Sequence, residues 1–450
     1  MPLLMLTILT HRFSPLIILL IAISIAYGNS LFASFQFDDF NVIVAAQAVQ
    51  SWTAWWADVG HGIRPVLKFT YTLNGWLDRQ AWGFRLLNLV IHLANALLVF
   101  HLAKRAMQHC DARAQAVAVA AVCALLFALH PAQTEAITYI SGRSSSLMTL
   151  FYLLAVASYE RALQTQRVAY FYLVTPLFFV LALATKESAI TLPIALYLWH
   201  RCFYAQHMHR VIALNLASVV AVLLCASLIF LWQPRYAHNL MLSASLHSVQ
   251  VNFFTQIHGM VYLLGQWLWP MQMNIDPDFR VYHSLASVWR EALFSMVVLA
   301  FSLWQKNRLL SFALLWWLLH LLPLYVFFPR VDGVNDRQLY LAGWPLLLCL
   351  SYALMRCVNV RRILVSMLLI LLLTALTWQR NQDYHDEISL WQVTVLASPN
   401  KARAYNNLGY AYFLGGRERE AELAYRAALA LDKNFVLAEK NLLLLQQNRQ

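Results

Sequence analysis

Charge is what this chain has least of. Of its 450 residues 12% are Asp, Glu, Lys or Arg, against 60% hydrophobic, where a soluble domain carries roughly 25% charged residues. That scarcity excludes an ordinary water-soluble globule and places the chain in a bilayer. There the backbone must satisfy its own polar groups, so only helices or closed barrels span. The apolar runs are continuous rather than alternating, which excludes a barrel. The six cysteines form no CxxC pair, so neither a zinc site nor a disulfide framework is supported. No P-loop or dinucleotide glycine pattern occurs, and a cytosolic nucleotide has no cradle. No small-residue cleavage site follows the first apolar run, 15–33, which reads as a retained span. The net charge of +12 does not call for nucleic acid, because Lys and Arg gather in loops on one side, the positive-inside pattern.

What is present is a series of apolar runs. The expected class is an all-α polytopic membrane protein of about eleven spans: 15–33, 84–103, 116–130, 145–159, 169–184, 189–199, 211–232, 292–304, 309–328, 339–355 and 363–378. His11 and Arg12 place the N-terminus on the cytoplasmic side. Lys104, Arg105, Arg161, Arg201 and Arg210 mark further cytoplasmic turns. The outer loop 34–83 carries Trp52, Trp55, Trp56, Trp76 and Trp82, as expected of interfacial helices. The outer segment 233–291 contains an apolar piece, 253–269, read as interfacial or re-entrant. Were it a single span, the basic clusters Lys306/Arg308 and Arg356/Arg361/Arg362 would face outward. Several runs are short for a core of about 30 Å, which implies misplaced boundaries or a thinned bilayer. His207 and His209 flank Met208 in a cytoplasmic loop and read as a solvated basic turn.

The acids are asymmetric. Within 1–378, Asp38, Asp39, Asp58, Asp78, Glu135, Glu187, Asp276, Asp278, Glu291, Asp332 and Asp336 fall on the outer side. Only Asp111 and Glu160 fall inside. Acids contribute little to topology, so the excess points to an outward-facing polar site. Phe37-Asp38-Asp39 closes the first span with two adjacent carboxylates. One of them is placed to cap a helix suggested over 41–50, and capping does not exclude chemistry. Adjacent carboxylates repel, so one pKa should rise unless a cation or metal intervenes.

Arg85, Asn88, His92 and Asn95, spaced 3, 4 and 3, share a helix face. Such a stripe faces the bundle or a wet cavity. It serves either as glue between helices or as part of a site, and Arg85, nearest the rim, is the better site candidate. His130-Pro131, Thr134-Glu135 and Gly142-Arg143 form one short outer turn, Lys186-Glu187 another, and Asp336-Arg337 a third. Arg64, Arg143, Lys186 and Arg337 are thus expected at one depth, where clustered cations suit a phosphate. The bland alternative is that each snorkels or pairs with a neighbouring acid, as Lys186 can with Glu187.

Composition turns polar after Trp378. From Ala402, the residues Tyr405, Leu408, Gly409, Tyr412, Ala421, Tyr425 and Ala428 fall on tetratricopeptide signature positions of a 34-residue repeat over about 402–435. Trp391 and Pro399 fit an incomplete preceding repeat. Residues 379–450 are therefore expected as a small helical domain leaning on the membrane domain 1–378, either a groove for protein or a brace.

In this order the pieces resemble the transmembrane-and-tetratricopeptide O-mannosyltransferase family and its bacterial relatives, membrane glycosyltransferases of the type-C fold. The resemblance rests on Phe37-Asp38-Asp39, Arg64-Pro65, Gly83-Phe84-Arg85-Leu86-Leu87-Asn88 with His92 and Asn95, and His130-Pro131 with Thr134-Glu135. It continues through Gly142-Arg143, Lys186-Glu187, Trp269-Pro270 with Asp276-Pro277-Asp278-Phe279, and Asp336-Arg337 with Leu339-Tyr340. Arg380-Asn381-Gln382-Asp383-Tyr384 and Ser398-Pro399-Asn400-Lys401-Ala402 complete it. Asp336 stands where the family has Glu, and one repeat stands where the animal members have long arrays.

The resemblance implies a polyprenyl-phosphate-linked sugar and a protein Ser or Thr acceptor on the non-cytoplasmic face. The expected setting is a bacterial inner membrane with the repeat periplasmic and docking the acceptor. The lack of any Asn-x-Ser/Thr sequon accords with that origin, and the sugar is left open. Asp38 or Asp39 would be the base, its neighbour orienting the acceptor or holding an ion. A divalent metal there stays an option, and no metal ligand set is assigned. Arg143, Lys186 and Arg337 would receive the charge of the leaving phosphate, with Arg64, Arg85, His92, His130, Glu135 and Glu187 completing the donor site. Two rival readings stand beside this: a transporter or flippase of lipid-linked sugar, and a non-catalytic assembly factor of the cell envelope working through the repeat.

Overall fold

The computed structural model describes residues 14–110, 113–204, 233–321, 332–356 and 359–447, with isolated positions 221, 224, 228 and 326. Among the described residues every regular element is helical. His11, Arg12, Asp111, His207–His209, Arg210, Cys225 and Cys357, and nearly all of the run 211–232, lie outside the described residues.

Four helices are long and apolar enough to cross a membrane: Ser14–Phe32, Ala81–Gln108, Ile140–Thr165 and Val360–Asp383. Two pairs pass the same test jointly but are bent by 57°, Arg113–Leu129 with Pro131–Ile137 and Asp336–Ala342 with Trp344–Met355. The described residues thus hold four to six such spans, where the sequence leads one to expect eleven. Some expected spans are too short: Leu192–Phe203 has 12 residues and Trp289–Trp304 has 16. At 1.5 Å per residue these reach about 18 and 24 Å. Others are longer than their apolar runs, and at Arg143 and Glu160 the polar residues that bound the run are buried by neighbours. The run at 145–159 belongs to a helix over Arg143–Thr165, and the run at 84–103 to one over Ala81–Gln108. Val249–Leu268 is a 20-residue helix outside the group apolar enough to span.

Ala81–Gln108 packs on Arg113–Leu129 through small side chains. Ala96, Ala103 and Ala106 on the first helix and Ala116, Ala120, Cys123 and Ala124 on the second are buried in one core. Small residues let backbones approach closely where no hydrophobic drive separates helix from lipid. Val360–Asp383 shows the opposite face to its surroundings. Leu364, Leu368, Leu371 and Leu372 are exposed, while Ser366, Leu373, Thr377, Arg380 and Asn381 turn inward.

The bent pairs lay two short polar turns across one end of the bundle. Proline at the first bend removes a backbone donor at Pro131, just past Leu129. The turns over Thr134–Ile137 and Ile140–Gly142 fold so tightly that a Cβ on Gly142 would sit 2.0 Å from the Glu135 carbonyl oxygen and 2.9 Å from Ala136 Cα. Neither neighbour is a side chain that can step aside. Gly142→Ala is expected to cost at least the upper end of the ~1–3 kcal/mol typical of overpacking. It should lower the thermal unfolding temperature in detergent, with activity falling in parallel.

After Asp383 the chain forms four successive helices, Glu387–Ala397, Ala402–Leu414, Glu418–Leu431 and Val436–Gln447. Gly409 lets two of them meet, since a Cβ there would lie 2.7 Å from the Tyr425 ring. The group leans on the membrane region. Arg403 Nε donates to Asp276 at 2.7 Å, Lys401 Nζ to the Pro277 carbonyl at 3.1 Å, and the Asp278 N–H to Ser398 Oγ at 2.9 Å.

Candidate active site

Residues 35–41 run from the first apolar helix, Ser14–Phe32, into the loop over 34–83. The expected capped helix over 41–50 is not formed. A π-turn at Phe40–Val44 and a 3-10 turn at Gln47–Val49 take its place. Asp39 sits at the N-cap position with φ −56° and makes no side-chain capping bond, so the cap role falls away. Its carboxylate is instead enclosed. Oδ1 accepts from the Ser141 N–H at 2.8 Å and from Ser141 Oγ, and Oδ2 accepts from the Gln36 N–H at 3.1 Å. Burial pushes the Asp39 carboxyl up to about 6, outweighing the Ser141 and Gln36 bonds and the Arg85 charge that pull it down. The rise expected from two adjacent carboxylates is therefore present, but its cause is burial.

Asp38 is separated from its neighbour by this arrangement. Its N–H donates to Tyr139 Oη at 3.0 Å, and it lies on the wall of a cleft of about 810 Å³ shared with Arg64, Tyr71, Ser141, Ser144 and Arg337. One residue earlier, Phe37 has φ 45°, in the left-handed region that costs an L-residue about 1–2 kcal/mol. The strained residue thus directly precedes the accessible carboxylate.

The cations separate into two groups. Arg337 lines the cleft and also a small inner pocket with Lys186. Glu135 steadies it, with its carboxylate 2.7 Å from Arg337 Nε and accepting the Arg337 N–H at 3.2 Å. The guanidinium stands 5.7 Å from the centre of the Tyr139 ring, so one tyrosine touches both Asp38 and Arg337. Arg64 also lines the cleft. Its Nη2 and Nε donate to Glu187 at 2.7 and 3.0 Å, in a half-exposed pair. Burial alone would raise the Glu187 carboxyl, but the guanidinium outweighs it and holds the group below its ordinary value.

Arg143 and Arg85 do not join them, contrary to the sequence expectation. Arg143 is fully buried, donating to Asn88 Oδ1 at 2.6 Å, to the Phe84 carbonyl at 2.8 Å and to Thr70, with its guanidinium 4.8 Å from the Tyr71 ring centre. Arg85 is spent on the carbonyls of Thr138, Ala33 and Ser34. The two guanidiniums tie the outer loop to the bundle, which satisfies carbonyls that burial would otherwise leave unpaired.

The rest of the polar stripe is also glue. Asn88 Nδ2 donates to the Ile137 carbonyl and Asn95 Nδ2 to the Ser146 carbonyl, both at 2.8 Å. His92 Nε2 lies 3.0 Å from the Ala128 carbonyl and Nδ1 2.7 Å from Tyr340 Oη. A carbonyl only accepts, so the proton resides on Nε2 and Nδ1 accepts from the tyrosine. His130 stacks on Trp267 at 5.4 Å and accepts the Ala132 N–H.

The inner pocket holds groups that sequence reasoning passed over. Ser145, Thr149, Ser188 and Gln338 line it with Lys186 and Arg337. Lys186 Nζ donates to Ser145 Oγ at 2.7 Å. Thr149 Oγ1, Ser188 Oγ and both amide atoms of Gln338 are buried with no hydrogen-bond partner among the described residues. Buried polar atoms are normally satisfied, and the pocket, at about 20 Å³, has room for a water-sized polar occupant. The signal that would have found it is the run Ser144-Ser145-Ser146 with Thr149 inside a spanning helix, where hydroxyls without a purpose are costly.

Among the described residues no cluster of three or more His, Cys, Asp and Glu side chains could hold a metal ion. Asp39 Oδ1 and Oδ2 accept from Ser141 and Gln36, whereas the Asp38 side chain faces the cleft.

No family model matches the chain. Its curated relatives are protein O-mannosyl-transferases. It is 25% identical to Protein O-mannosyl-transferase F38B6.6 of Caenorhabditis elegans, over 93% of this chain and 63% of the relative. It is 25% identical to Protein O-mannosyl-transferase Tmtc3 of Drosophila melanogaster, over 84% of this chain and 49% of the relative. Against human Protein O-mannosyl-transferase TMTC1 the identity is 32%, over 37% of this chain and 21% of the relative. The chain thus spans 63% and 49% of the lengths of these two relatives, less than two thirds of either.

Proposed function

We propose that the chain is a membrane glycosyltransferase that moves a sugar from a polyprenyl-phosphate donor to a Ser or Thr hydroxyl of a protein on the non-cytoplasmic face. The observation that carries this is the shared cleft wall: an accessible carboxylate, Asp38, and two guanidiniums, Arg64 and Arg337, face one space. The relatives' names supply the reaction type, protein O-glycosylation.

The roles follow from the placement. A hydroxyl is a poor nucleophile until a base takes its proton during attack, and Asp38 is the carboxylate left open to an acceptor. As the acceptor oxygen bonds to the anomeric carbon, the bond from that carbon to the phosphate oxygen breaks, and the lipid phosphate leaves with an added negative charge. Arg337, which faces the cleft, and Lys186 beside it receive that charge. Asp39 serves the loop rather than the reaction. A single displacement inverts the anomeric centre. The C-terminal helices, with Gly409 against Tyr425, are read as a tetratricopeptide dock for the acceptor protein, in an orientation that puts Lys104 and Arg105 in the cytoplasm.

The test uses the full chain in lipid vesicles with polyprenyl-phosphate-linked mannose, other hexoses and pentoses in turn, and Ser/Thr-containing envelope proteins. A mass increase of one sugar on Ser or Thr is expected with at least one donor. The absence of any gain across the donor set sinks the reading.

A further inference from the structure

The residues that hold the Asp38 loop do not all come from the membrane region. The Phe37 N–H donates to Glu387 Oε1. Glu387 Oε2 accepts the Trp391 Nε1–H at 2.8 Å. The Trp391 ring meets Phe37 edge to face at 5.1 Å, with an interplanar angle of 82°. Gln36 Nε2 donates to the Tyr384 carbonyl, and the Ser34 N–H to the His385 carbonyl at 3.1 Å. Both side chains that grip Phe37 belong to Glu387–Ala397, the first helix after the last span. Trp391 is buried and Glu387 only partly so.

Phe37 is in the left-handed region, a conformation that persists only when the surroundings over-determine it. Glu387 fixes its backbone N–H, and Trp391 fixes its ring. Asp38 follows immediately, so its carboxylate points where Phe37 allows. We propose that Glu387 and Trp391 are positioning residues for Asp38, and that the first helix of the C-terminal domain is part of the catalytic loop's scaffold as well as of the acceptor dock. This rests on the transferase reading for its kinetic consequence, though the structural claim stands apart from it.

The consequence differs from that of a dock. A residue that only binds acceptor protein acts through the acceptor KM. A residue that aims the base acts through kcat, and does so with a short peptide acceptor as well as with a whole protein. A misplacement of about 1 Å at a reacting group can cost ~10²-fold.

The experiment compares the wild-type full chain with Trp391→Ala, Glu387→Ala and the conservative Trp391→Phe in vesicles. The donor is polyprenyl-phosphate-linked sugar and the acceptor a short Ser/Thr peptide. Trp391→Ala and Glu387→Ala are expected to lower kcat by about 10- to 100-fold, with donor and peptide KM within twofold of wild type. Trp391→Phe should recover most of that loss because the ring remains. In parallel, amide hydrogen exchange is read on the peptide containing residues 36–41. Exchange there should speed up in both alanine variants while the peptides of Arg143–Thr165 keep wild-type protection. Unchanged exchange at 36–41 overturns the proposal whether or not the chain is active. So does unchanged kcat in an active wild type, or a loss confined to KM. A wild type with no transfer refutes the transferase reading alone, and the exchange result then decides the positioning claim. General loss of protection in the alanine variants counts as overturning it unless Trp391→Phe keeps the fold and the 36–41 protection together.

Discussion

Asp38→Asn is expected to reduce sugar transfer by about 10²–10⁴-fold, the range that a positioned general base contributes, with little change in thermal unfolding. The side chain keeps its size and loses only its ability to take a proton. The loop's own anchor, the Asp38 N–H to Tyr139 Oη bond, is untouched because it is made by the backbone. Asp39→Asn should behave differently. Its oxygens hold Ser141 and Gln36, and an amide can accept only one side of that arrangement. The expected result is a moderate loss of activity with a visible change in stability.

The pH dependence separates the two aspartates further. Asp39 has a folded pKa of about 6 against an ordinary 3.8. Between those values the folded state binds more of this group's proton than the unfolded state does, so stability from this group falls as pH rises through about 4 to 6 and is level above. Asp39→Asn should flatten that part of a stability-against-pH profile measured in detergent. An equal loss of activity from both substitutions, with the slope unchanged in Asp39→Asn, would overturn the division of labour.

The second large effect is expected at the inner pocket. Lys186→Met and Arg337→Met each remove a cation placed to meet the leaving phosphate, and a loss of about 10²–10³-fold in kcat is expected from each, the scale of removing one donor to a developing oxyanion. The two differ in stability. Arg337 neutralises Glu135, whose carboxylate is buried, so Arg337→Met strands a charge and should destabilise by several kcal/mol, in the range of about 3–5 for breaking a buried pair. Pairing it with Glu135→Gln should recover the fold without recovering the rate. Lys186→Met should spare the fold, because methionine keeps the stem that lines the pocket. Arg143→Met, by contrast, should lower stability and activity together, since its guanidinium is spent on Asn88, Thr70 and Phe84. Kinetics in the double variant Arg337→Met/Glu135→Gln decide the matter: near-normal kcat there would remove Arg337 from the reaction.

What the sequence made legible follows from where information is local. All-helical architecture with several apolar helices was readable from the apolar runs. Asp38 and Asp39 were visible as a pair, but their separation was not. Facing in a regular helix or strand follows a period, whereas in an irregular turn it follows from distant partners, here Ser141 and Tyr139. Arg85 and Arg143 looked like ligand residues because buried charge is expensive. The carbonyls that occupy them come from Thr138, Ala33, Phe84 and Thr70, and no motif announces a carbonyl. Span ends differ from the expected ones where Arg143 or Glu160 continues a helix into a protein interior that hydropathy treats as water. The inner pocket left a readable trace in Ser144-Ser145-Ser146, which gained meaning only once Lys186 and Gln338 were seen to share its space.

The grip of Glu387 on Phe37 joins residues 350 positions apart in sequence, and that has a consequence for biogenesis. In the proposed orientation the Asp38 loop is among the first outer segments to be threaded through the membrane, and its clamp is among the last. At about 5–20 residues per second, translation leaves roughly 20–70 s between the two. Throughout that interval the loop is extruded without Glu387 or Trp391, and Phe37 has nothing to hold it in the left-handed region. A ribosome-bound chain arrested before Glu387 should therefore carry every span and both aspartates yet be silent toward donor and acceptor, with competence arriving only as the helix after the last span is translocated and docks.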